Sequence, residues 1–302
     1  SQSKLRQTMT VTQETTSSDY RLVALDLDGT VLDPDGEVDP ALPPVLDRLR
    51  RRSVDIIICT GRRWRTTVPA IRELRHAAPA VVCAGGAAIK DGVSHETLLI
   101  NSLPRQQARR TAEIFHGADL VPLFLYDRPL SQPDLVIQSS VRDRAERLGY
   151  VRRTFDQVEF RDDDFLDSAG EPLVIYTIDD KSKILDAESR VRDRLGNRCF
   201  ITTLHQPGFP PDQWVLQVHD GSATKWNALK WLMDRDGISA EEVIAIGDDV
   251  NDVPMLRGAG RSFAMHNAVP AARKAADAVT GSNADNGVVQ ALEQSFSITL
   301  RY

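Results

Sequence analysis

The sequence predicts an α/β fold in which a doubly wound parallel sheet is interrupted by an inserted α+β unit. Short apolar runs of four to six residues occur in both outer parts of the chain, and each ends in, or is followed within two residues by, Gly, Asp or Asn. Continuous rather than alternating hydrophobicity is typical of parallel strands that are buried on both faces. Helix-like segments separate several of these runs, whereas the middle of the chain shows a different pattern. The fold class follows from these three observations.

The outer parts of the chain are predicted to form the parallel sheet and its helices. Segment 40–51 places Leu42, Val45, Leu46 and Leu49 on one face of a helix. Segment 223–234 has the same apolar periodicity. The predicted strands are 21–26, 54–59, 80–83, 243–246 and 262–265.

The middle of the chain is predicted to be a second domain inserted into the first. Its strand candidates are joined by turn-like segments, which indicates hairpins, and helix 181–195 accompanies them. We therefore predict a core of residues 19–84 and 206–302 and an inserted domain of residues 85–205. Residues 1–18 are rich in Ser, Thr and Gln and are predicted to be a disordered tail. The strand candidates of the inserted domain are 120–126, 135–138, 173–178 and 199–202.

Composition excludes several classes of protein. Of the 302 residues, 41% are apolar and 26% are charged, as in globular proteins. The net charge of −6 argues against a nucleic-acid partner, since duplex binding needs a basic face. The sequence has neither a membrane-spanning apolar run nor a signal-peptide pattern. Three cysteines without CxxC spacing are expected to be buried reduced thiols, which favours a cytoplasmic location. The oligomeric state is not indicated.

The first motif that carries chemistry is Asp26-Leu27-Asp28-Gly29-Thr30, directly after a predicted strand. Residues i and i+2 of a strand point to the same side, so two carboxylates project together and favour a divalent cation. One carboxylate can attack phosphorus while the other handles a proton. A simple turn is the plain alternative. A calcium loop of the EF-hand type is disfavoured because Val31 replaces the required Gly.

Three further motifs follow strands or begin helices. The hydroxyl of Thr60, before Gly61, is suited to holding a phosphoryl oxygen, although it could simply cap the next helix. Lys225 lies in the first turn of a helix, where the helix dipole disfavours a cation, so an anionic site would explain it. Segment 247–252 contains three aspartates and Asn251, an oxygen-rich set that suits Mg²⁺, although acidic residues also favour a helix N-terminus. Ligands bind at the carboxyl edge of open α/β sheets, where all four motifs are expected to converge.

In this order, the four motifs resemble those of the haloacid dehalogenase superfamily, and within it the Cof-type phosphatases with a C2B α/β cap. The resemblance implies a Rossmann-like core and identifies the inserted domain as the cap. It covers about two-thirds of the chain, and the cap itself carries almost no recognisable pattern. Further similarities lie at 255–256, 264–265, 267–268, 276–277 and 286–288.

The resemblance also implies roles for the motif residues. Asp26 would be the nucleophile, and Asp28 would protonate the leaving oxygen and later activate water. Thr60 would hold the phosphoryl group, and Lys225 would neutralise it. The implied substrate-binding residues are Thr60, Gly61, Gly86, Lys225 and Asn267. The implied Mg²⁺ ligands are Asp26, Asp28 through its main-chain carbonyl, and Asp248, supported by Asn251 and Asp252.

The chain departs from the family pattern near the expected substrate entrance. Gly85 stands where relatives often have Asn, Gln217 where a carboxylate is frequent, and His266 interrupts a usual Met-Gly-Asn-Ala run. In the cap or hinge, possible polar contacts to substrate are Arg128, Arg142 and His205, although each could be a surface residue.

The sequence thus predicts a Mg²⁺-dependent phosphatase that hydrolyses a small phosphorylated metabolite, a sugar phosphate or a phosphorylated cofactor, through an aspartyl-phosphate intermediate. One alternative is a phosphomutase-type phosphotransferase, which passes the phosphoryl group to a sugar hydroxyl. Another is a catalytically silent binding module on the same fold, against which the intact set of acidic and basic residues argues.

Overall fold

Two β-sheets organise the described part of the chain, which in this computed structural model comprises residues 20–74, 80–205 and 210–296. The predicted disordered tail at 1–18 lies outside the described residues. The larger sheet has eight strands and the smaller has six.

The larger sheet is built around β1, which pairs in parallel with β2 on one side and β12 on the other. Its order is β14-β13-β12-β1-β2-β3-β4-β5, and only β4 and β5 are antiparallel to their neighbours. The strands are β1 (Leu22–Leu25), β2 (Asp55–Cys59), β3 (Ala80–Cys83), β4 (Ala88–Asp91), β5 (Thr97–Ile100), β12 (Val243–Gly247), β13 (Arg261–Ala264) and β14 (Ala278–Val279).

Helices cover this sheet. Helix α1 packs on α10, whereas α7 packs on α8 and α8 packs on α9. The apolar face of α1 buries Leu42, Val45, Leu46 and Leu49, as predicted. These helices are α1 (Leu42–Arg50), α2 (Trp64–Ala70), α7 (Lys225–Asp236), α8 (Val253–Gly258), α9 (Pro270–Ala275) and α10 (Gly287–Phe296).

The smaller sheet is mainly antiparallel and has the order β10-β11-β9-β6-β7-β8. Helices α3 and α6 pack together, and α6 covers one face of the sheet. The strands are β6 (Leu123–Leu125), β7 (Leu135–Gln138), β8 (Val158–Arg161), β9 (Val174–Asp180), β10 (Cys199–Leu204) and β11 (Gln213–Asp220). The helices are α3 (Arg105–Gly117), α4 (Arg142–Ala145), α5 (Gly149–Arg153) and α6 (Lys181–Leu195).

This topology confirms the predicted fold class, a doubly wound core with an inserted α+β unit. The limits of the sheets differ, however, from the predicted boundaries at 85 and 205. β4 and β5 extend the larger sheet, although their residues fall in the segment predicted as inserted. β11 pairs with β9 and β10 in the smaller sheet, although its residues fall in the segment predicted as core. In both cases a strand close to the predicted boundary pairs antiparallel with the strand before it in the chain. It therefore joins the sheet of that preceding strand.

The two faces of the smaller sheet have different neighbours. Ile175 of β9 and Val218 of β11 pack with α3 and α6 in a separate apolar cluster. Val174 and Val215, which point the opposite way, belong to the cluster that continues into the core. Because side chains alternate along a strand, one face of the cap sheet is directed towards the core.

The cysteines and the helices can be compared with what the composition predicts. Cys59, Cys83 and Cys199 are free and buried. Within the described ranges, the helices all fall short of the length and hydrophobicity that a membrane span requires.

Candidate active site

The predicted catalytic residues converge at the carboxyl edge of the larger sheet, as expected for an open α/β sheet. Asp26 directly follows β1, and its backbone N–H donates to the carbonyl of Ile246 in β12 at 3.0 Å. Thr60 directly follows β2, and its N–H donates to Val82 in β3 at 2.8 Å. The parallel ladder therefore determines where these two residues lie.

Lys225 occupies the centre of the site and is fully buried. Its Nζ donates to Asp26 Oδ1 at 2.5 Å, to Asp252 Oδ1 at 2.6 Å and to Asn251 Oδ1 at 3.3 Å. Burial alone lowers the pKa of an ammonium, but the charges of Asp252 and Asp26 outweigh burial and raise the Lys225 pKa. Lys225 is therefore a permanent cation that links the carboxylate after β1 to the acidic loop after β12.

Carboxylates outnumber the buried cation at this point. Oxygens of Asp26, Asp248 and Asp252 all lie within 4.8 Å of one another. Burial, and then the charge of Asp252, raises the pKa of Asp26 to about 7. Burial, and then the charge of Asp26, raises the pKa of Asp248 to about 10. Clustered carboxylates with raised pKa values are the environment that a hard divalent cation stabilises, so this donor set fits Mg²⁺.

The loop after β12 is held rigidly by Asp252. Its Oδ2 accepts hydrogen bonds from the backbone N–H groups of Asp248 and Asp249, both at 3.0 Å. Both oxygens of Asp252 are therefore engaged within the protein, one by Lys225 and one by the loop. Asp248 has more freedom, since the only side chain recorded as donating to it among the described residues is Thr30, at 3.2 Å.

Gly29 lets the two acidic loops approach each other. Its φ is +76°, and a Cβ at this position would lie 2.3 Å from Asp248 Oδ2. Any other residue would push the Asp248 carboxylate away from the chain after β1. Gly29 thus provides both the turn after Asp28 and the space that the Asp248 carboxylate occupies.

The Asp28 carboxylate lies apart from the three clustered carboxylates, whereas its predicted role as a metal ligand concerns its main-chain carbonyl. Its side chain is bound by Arg62, with Nε at 2.8 Å from Oδ2 and Nη2 at 2.6 Å from Oδ1. It is not among the three clustered carboxylates found in the described residues. Arg62 follows Thr60 and Gly61 in the second motif, but sequence reasoning gave it no role.

The other predicted substrate-binding residues lie at the rim or beneath the site. Thr60 is fully buried, and its Oγ1 accepts from the N–H of Arg62 at 3.0 Å. Gly61 borders the cavity, and Gly86 lies against the backbone of Thr224, directly before Lys225. Asn267 is exposed and donates to the Gly29 carbonyl at 2.8 Å, so it braces the first motif.

A cavity of about 370 Å³ extends from these carboxylates to the cap sheet. Of the cap and hinge residues proposed from the sequence, only His205 borders it. Arg128 pairs with Glu159 and Arg142 with Glu146 instead. Gln217 also borders the cavity.

Sequence reasoning missed several residues that border the cavity, namely Arg63, Tyr150, Tyr176 and His219. Arg63 is buried and crosses from the core to the cap, where it donates to Asp134 at 2.5 Å and to Gln157. A buried arginine needs partners of this kind, but their identity depends on how the domains pack. The polar, inward-facing positions of β11 could have been found only if that strand had been predicted.

A family model described as haloacid dehalogenase-like hydrolase matches residues 23–292. The chain is 28% identical over 281 residues to the pyridoxal phosphate phosphatase YbhA of Escherichia coli strain K12, covering 89% of this chain and 96% of that protein. It is 22% identical to the 5-amino-6-(5-phospho-D-ribitylamino)uracil phosphatase YitU of Bacillus subtilis, covering 92% and 98%. The crystal structure of a haloacid dehalogenase-like hydrolase from Bacteroides thetaiotaomicron superposes with a TM-score of 0.71 at 26% identity, covering 91% and 99%.

Proposed function

The chain belongs to the haloacid dehalogenase-like hydrolases, and from this premise we propose that it is a Mg²⁺-dependent phosphatase of small phosphorylated metabolites. The observation that carries the proposal is the contact of Lys225 with Asp26 and Asp252 beside the Asp248 carboxylate. This contact brings the Asp26 carboxylate, a buried cation and a cluster of acidic side chains to the border of one cavity, which supports the proposal. A silent binding module would have no chemical use for this combination.

Asp26 is the proposed nucleophile. Its carboxylate oxygen attacks phosphorus, the bond from phosphorus to the ester oxygen breaks, and an aspartyl phosphate forms on Asp26. Asp28, once released from Arg62, takes up a proton from solvent and gives it to the departing oxygen. Water then attacks the same phosphorus, Asp28 takes a proton from that water, and inorganic phosphate leaves Asp26 restored.

Arg62 determines when Asp28 is free to transfer a proton. In the structure both Asp28 oxygens accept from Arg62. An incoming phosphate dianion competes for the guanidinium, because bidentate arginine pairs suit phosphate as well as carboxylate. Arrival of substrate thereby releases Asp28 towards the ester oxygen.

Lys225 and Thr60 complete the proposed phosphoryl site. The ammonium of Lys225 keeps Asp26 in place and offsets negative charge as the phosphoryl group moves onto it. The donor set of Asp26, Asp248 and the Asp28 carbonyl would hold Mg²⁺, with Asn251 and Asp252 in support. When bound, the ion supplies charge neutralisation at the phosphoryl oxygens.

The proposed substrate class is a small phosphorylated metabolite. Two relatives that match almost end to end bear names of phosphatases for pyridoxal phosphate and for a phosphoribitylaminouracil. A cavity of about 370 Å³ can bury a ligand of that size, since small-molecule sites begin near 300 Å³.

The test is a phosphate-release screen of phosphorylated metabolites with Mg²⁺, repeated with Asp26→Asn. We expect this variant to lose at least 10³-fold in kcat, because an amide cannot serve as the nucleophile. Asp35→Asn, a change at an exposed position in the same loop, is the matched control. Chelation of the metal should stop release, and added Mg²⁺ should restore it.

Three results would contradict this proposal. They are turnover by Asp26→Asn within tenfold of the parent, turnover that survives chelation, or isomerised sugar phosphate without stoichiometric free phosphate. The last result would instead support the phosphomutase-type alternative.

A further inference from the structure

The cap sheet forms the roof of the cavity, and most of the side chains that it presents are apolar. Along β9 and β11, alternate residues border the cavity while their neighbours pack on α3 and α6. Side-chain alternation thus builds a smooth wall opposite the carboxylates. The apolar part of this wall consists of Leu125, Val174, Ile178, Leu204 and Val215.

His219, near the end of β11, differs from the other polar residues of this wall because its ring nitrogens have no partner among the described residues. It is only 1% exposed, and neither Nδ1 nor Nε2 has a hydrogen-bond partner among the described residues. Its ring lies so close to the chain after β3 that a Cβ at Gly85 would be 2.8 Å from its Cε1. A buried polar group without a partner is costly, so its partner is expected to come from the ligand.

We propose that His219 binds the leaving group of the substrate, and that this leaving group is a planar aromatic or heteroaromatic alcohol with a neutral polar substituent. The inference rests on the proposed function and concerns the same cavity. His219 acts as a substrate-binding residue that is carried by the cap sheet and lies against Gly85 of the core, and it takes no part in the phosphoryl transfer itself.

The protonation state of His219 restricts its partner. Burial lowers its pKa to about 4, so the ring is neutral at physiological pH. A neutral imidazole offers one N–H donor and one acceptor nitrogen. Such a ring suits a hydroxyl, a carbonyl or a ring nitrogen, and gives no charge attraction to a second anionic group.

The apolar composition of this wall also disfavours a sugar as the leaving group. The several hydroxyls of a hexose each need a partner once water is excluded. The polar side chains of the cap sheet that border the cavity are already partly used: Gln217 accepts from Thr202 at 3.2 Å, and the Tyr176 hydroxyl donates to Tyr150 at 3.1 Å. A flat ring would instead contact the apolar wall and the edges of the tyrosines, a favourable arrangement for aromatic groups.

Four phosphorylated probes test this inference on the full chain with Mg²⁺. Pyridoxal 5′-phosphate has a polar heteroaromatic ring, benzyl phosphate an aromatic ring without polar substituents, and glucose 6-phosphate no aromatic ring. Acetyl phosphate reports on the phosphoryl chemistry alone. We expect kcat/KM to decrease from pyridoxal phosphate to benzyl phosphate to glucose 6-phosphate.

Substitution of His219 should change this order in a defined way. In His219→Leu the ratio of kcat/KM for pyridoxal phosphate to that for benzyl phosphate should fall about tenfold, mainly through KM, because one hydrogen bond is lost. His219→Gln, which keeps a donor and an acceptor, should restore part of the ratio. His116→Leu is the matched control, since His116 also lies in the cap but bonds to Gln138 and does not border the cavity.

The outcomes separate this inference from the proposed function. A preference for glucose 6-phosphate, or a ratio that changes less than twofold in His219→Leu, would overturn the inference while leaving the phosphatase proposal standing. Absence of phosphate release from all four probes, including acetyl phosphate, would overturn the proposed function and this inference with it.

Discussion

The larger and the smaller sheet contribute residues to the cavity on opposite principles. On the core side, Lys225 donates hydrogen bonds to both Asp26 and Asp252, and all three residues are almost completely buried. On the cap side, His219 of β11 is equally buried, but its ring nitrogens have no hydrogen-bond partner among the described residues. Charged groups that are paired within the protein can act on the phosphoryl group of any substrate. A buried polar group without a partner favours ligands that can hydrogen-bond to it. On the two proposals above, the residues for phosphoryl transfer come from the larger sheet and the residue that selects the leaving group comes from the smaller one.

The largest effect that tests this comparison is expected at the core end, in Lys225→Met. Loss of the ammonium leaves two carboxylates buried beside each other, so kcat should fall by about 10²–10³-fold. The free energy of unfolding should fall by roughly 3–5 kcal/mol. Kinetics and urea unfolding measure the two losses. Lys230→Met, an exposed position on the same helix, should change neither, and equal losses in both variants would refute the assignment.

The next effect concerns the backbone that supports Lys225. In Gly86→Ala the new Cβ would lie 2.3 Å from the carbonyl group of Thr224, at a φ of +108°. We expect a loss of roughly 2–5 kcal/mol in the free energy of unfolding, from strain and overpacking together. Urea denaturation checks it, with Gly117→Ala as the control because a Cβ there meets no atom within 4 Å. Unchanged stability of Gly86→Ala would contradict the close approach.

A smaller effect is expected at the cap end and depends on pH. The His219 pKa is about 4 in the folded protein and about 6.5 in the unfolded chain, so below pH 6.5 the unfolded state binds a proton that the folded state does not. Stability is therefore lost as pH falls from 6.5 towards 4, by about 2 kcal/mol at pH 5.

His219→Leu removes this one titration. Between pH 7.5 and pH 5 the free energy of unfolding of the variant should fall by about 2 kcal/mol less than that of the parent. Denaturant unfolding of both proteins at the two pH values measures the difference. A pH dependence identical to that of the parent would show that the imidazole is not buried in its neutral form.

The smallest effect compares two tyrosines of the cap. Tyr176→Phe should cost about 0.5–1.5 kcal/mol, because its hydroxyl donates to Tyr150. Tyr126→Phe should cost nothing or stabilise slightly, since the Tyr126 hydroxyl is buried and has no recorded partner in the described residues. Urea unfolding of the two variants gives the contrast, and a larger loss for Tyr126→Phe would reverse it.

The core could be predicted from the sequence because each of its motifs directly follows a buried strand. Asp26 and Thr60 need only the parallel ladder to bring them to one edge, and that ladder follows from continuous apolar runs. The bidentate contact of Arg62 with Asp28 could not be predicted, since it depends on the direction in which the turn after β2 leads a long side chain.

Two strands of the cap sheet, β8 and β11, were harder to predict because their hydrophobicity does not alternate in the way expected for a strand with one buried face. β8 reads Val-Glu-Phe-Arg, and all four residues are half-buried, so it lacks a clear apolar face. β11 carries Gln213, Gln217 and His219 on the face that is expected to be apolar. Of these, Gln217 and His219 border the cavity, and a strand with polar residues on its inner face lacks the alternation from which strands are predicted. For this reason β11 falls beyond residue 205, the predicted end of the inserted domain.

The central position of β1 has a consequence for how the protein is made. β1 is synthesised early, but its partner β12 begins at Val243, in about the last fifth of the chain. While the chain emerges from the ribosome, one edge of β1 stays without a partner strand, and Asp26 lacks the loop that carries Asp248. The residues of the smaller sheet, which are contiguous from β6 to β11, are complete before that point. The order of synthesis therefore lets the cap fold first, and the nascent chain gains its phosphoryl-transfer chemistry only when the final segment closes the sheet.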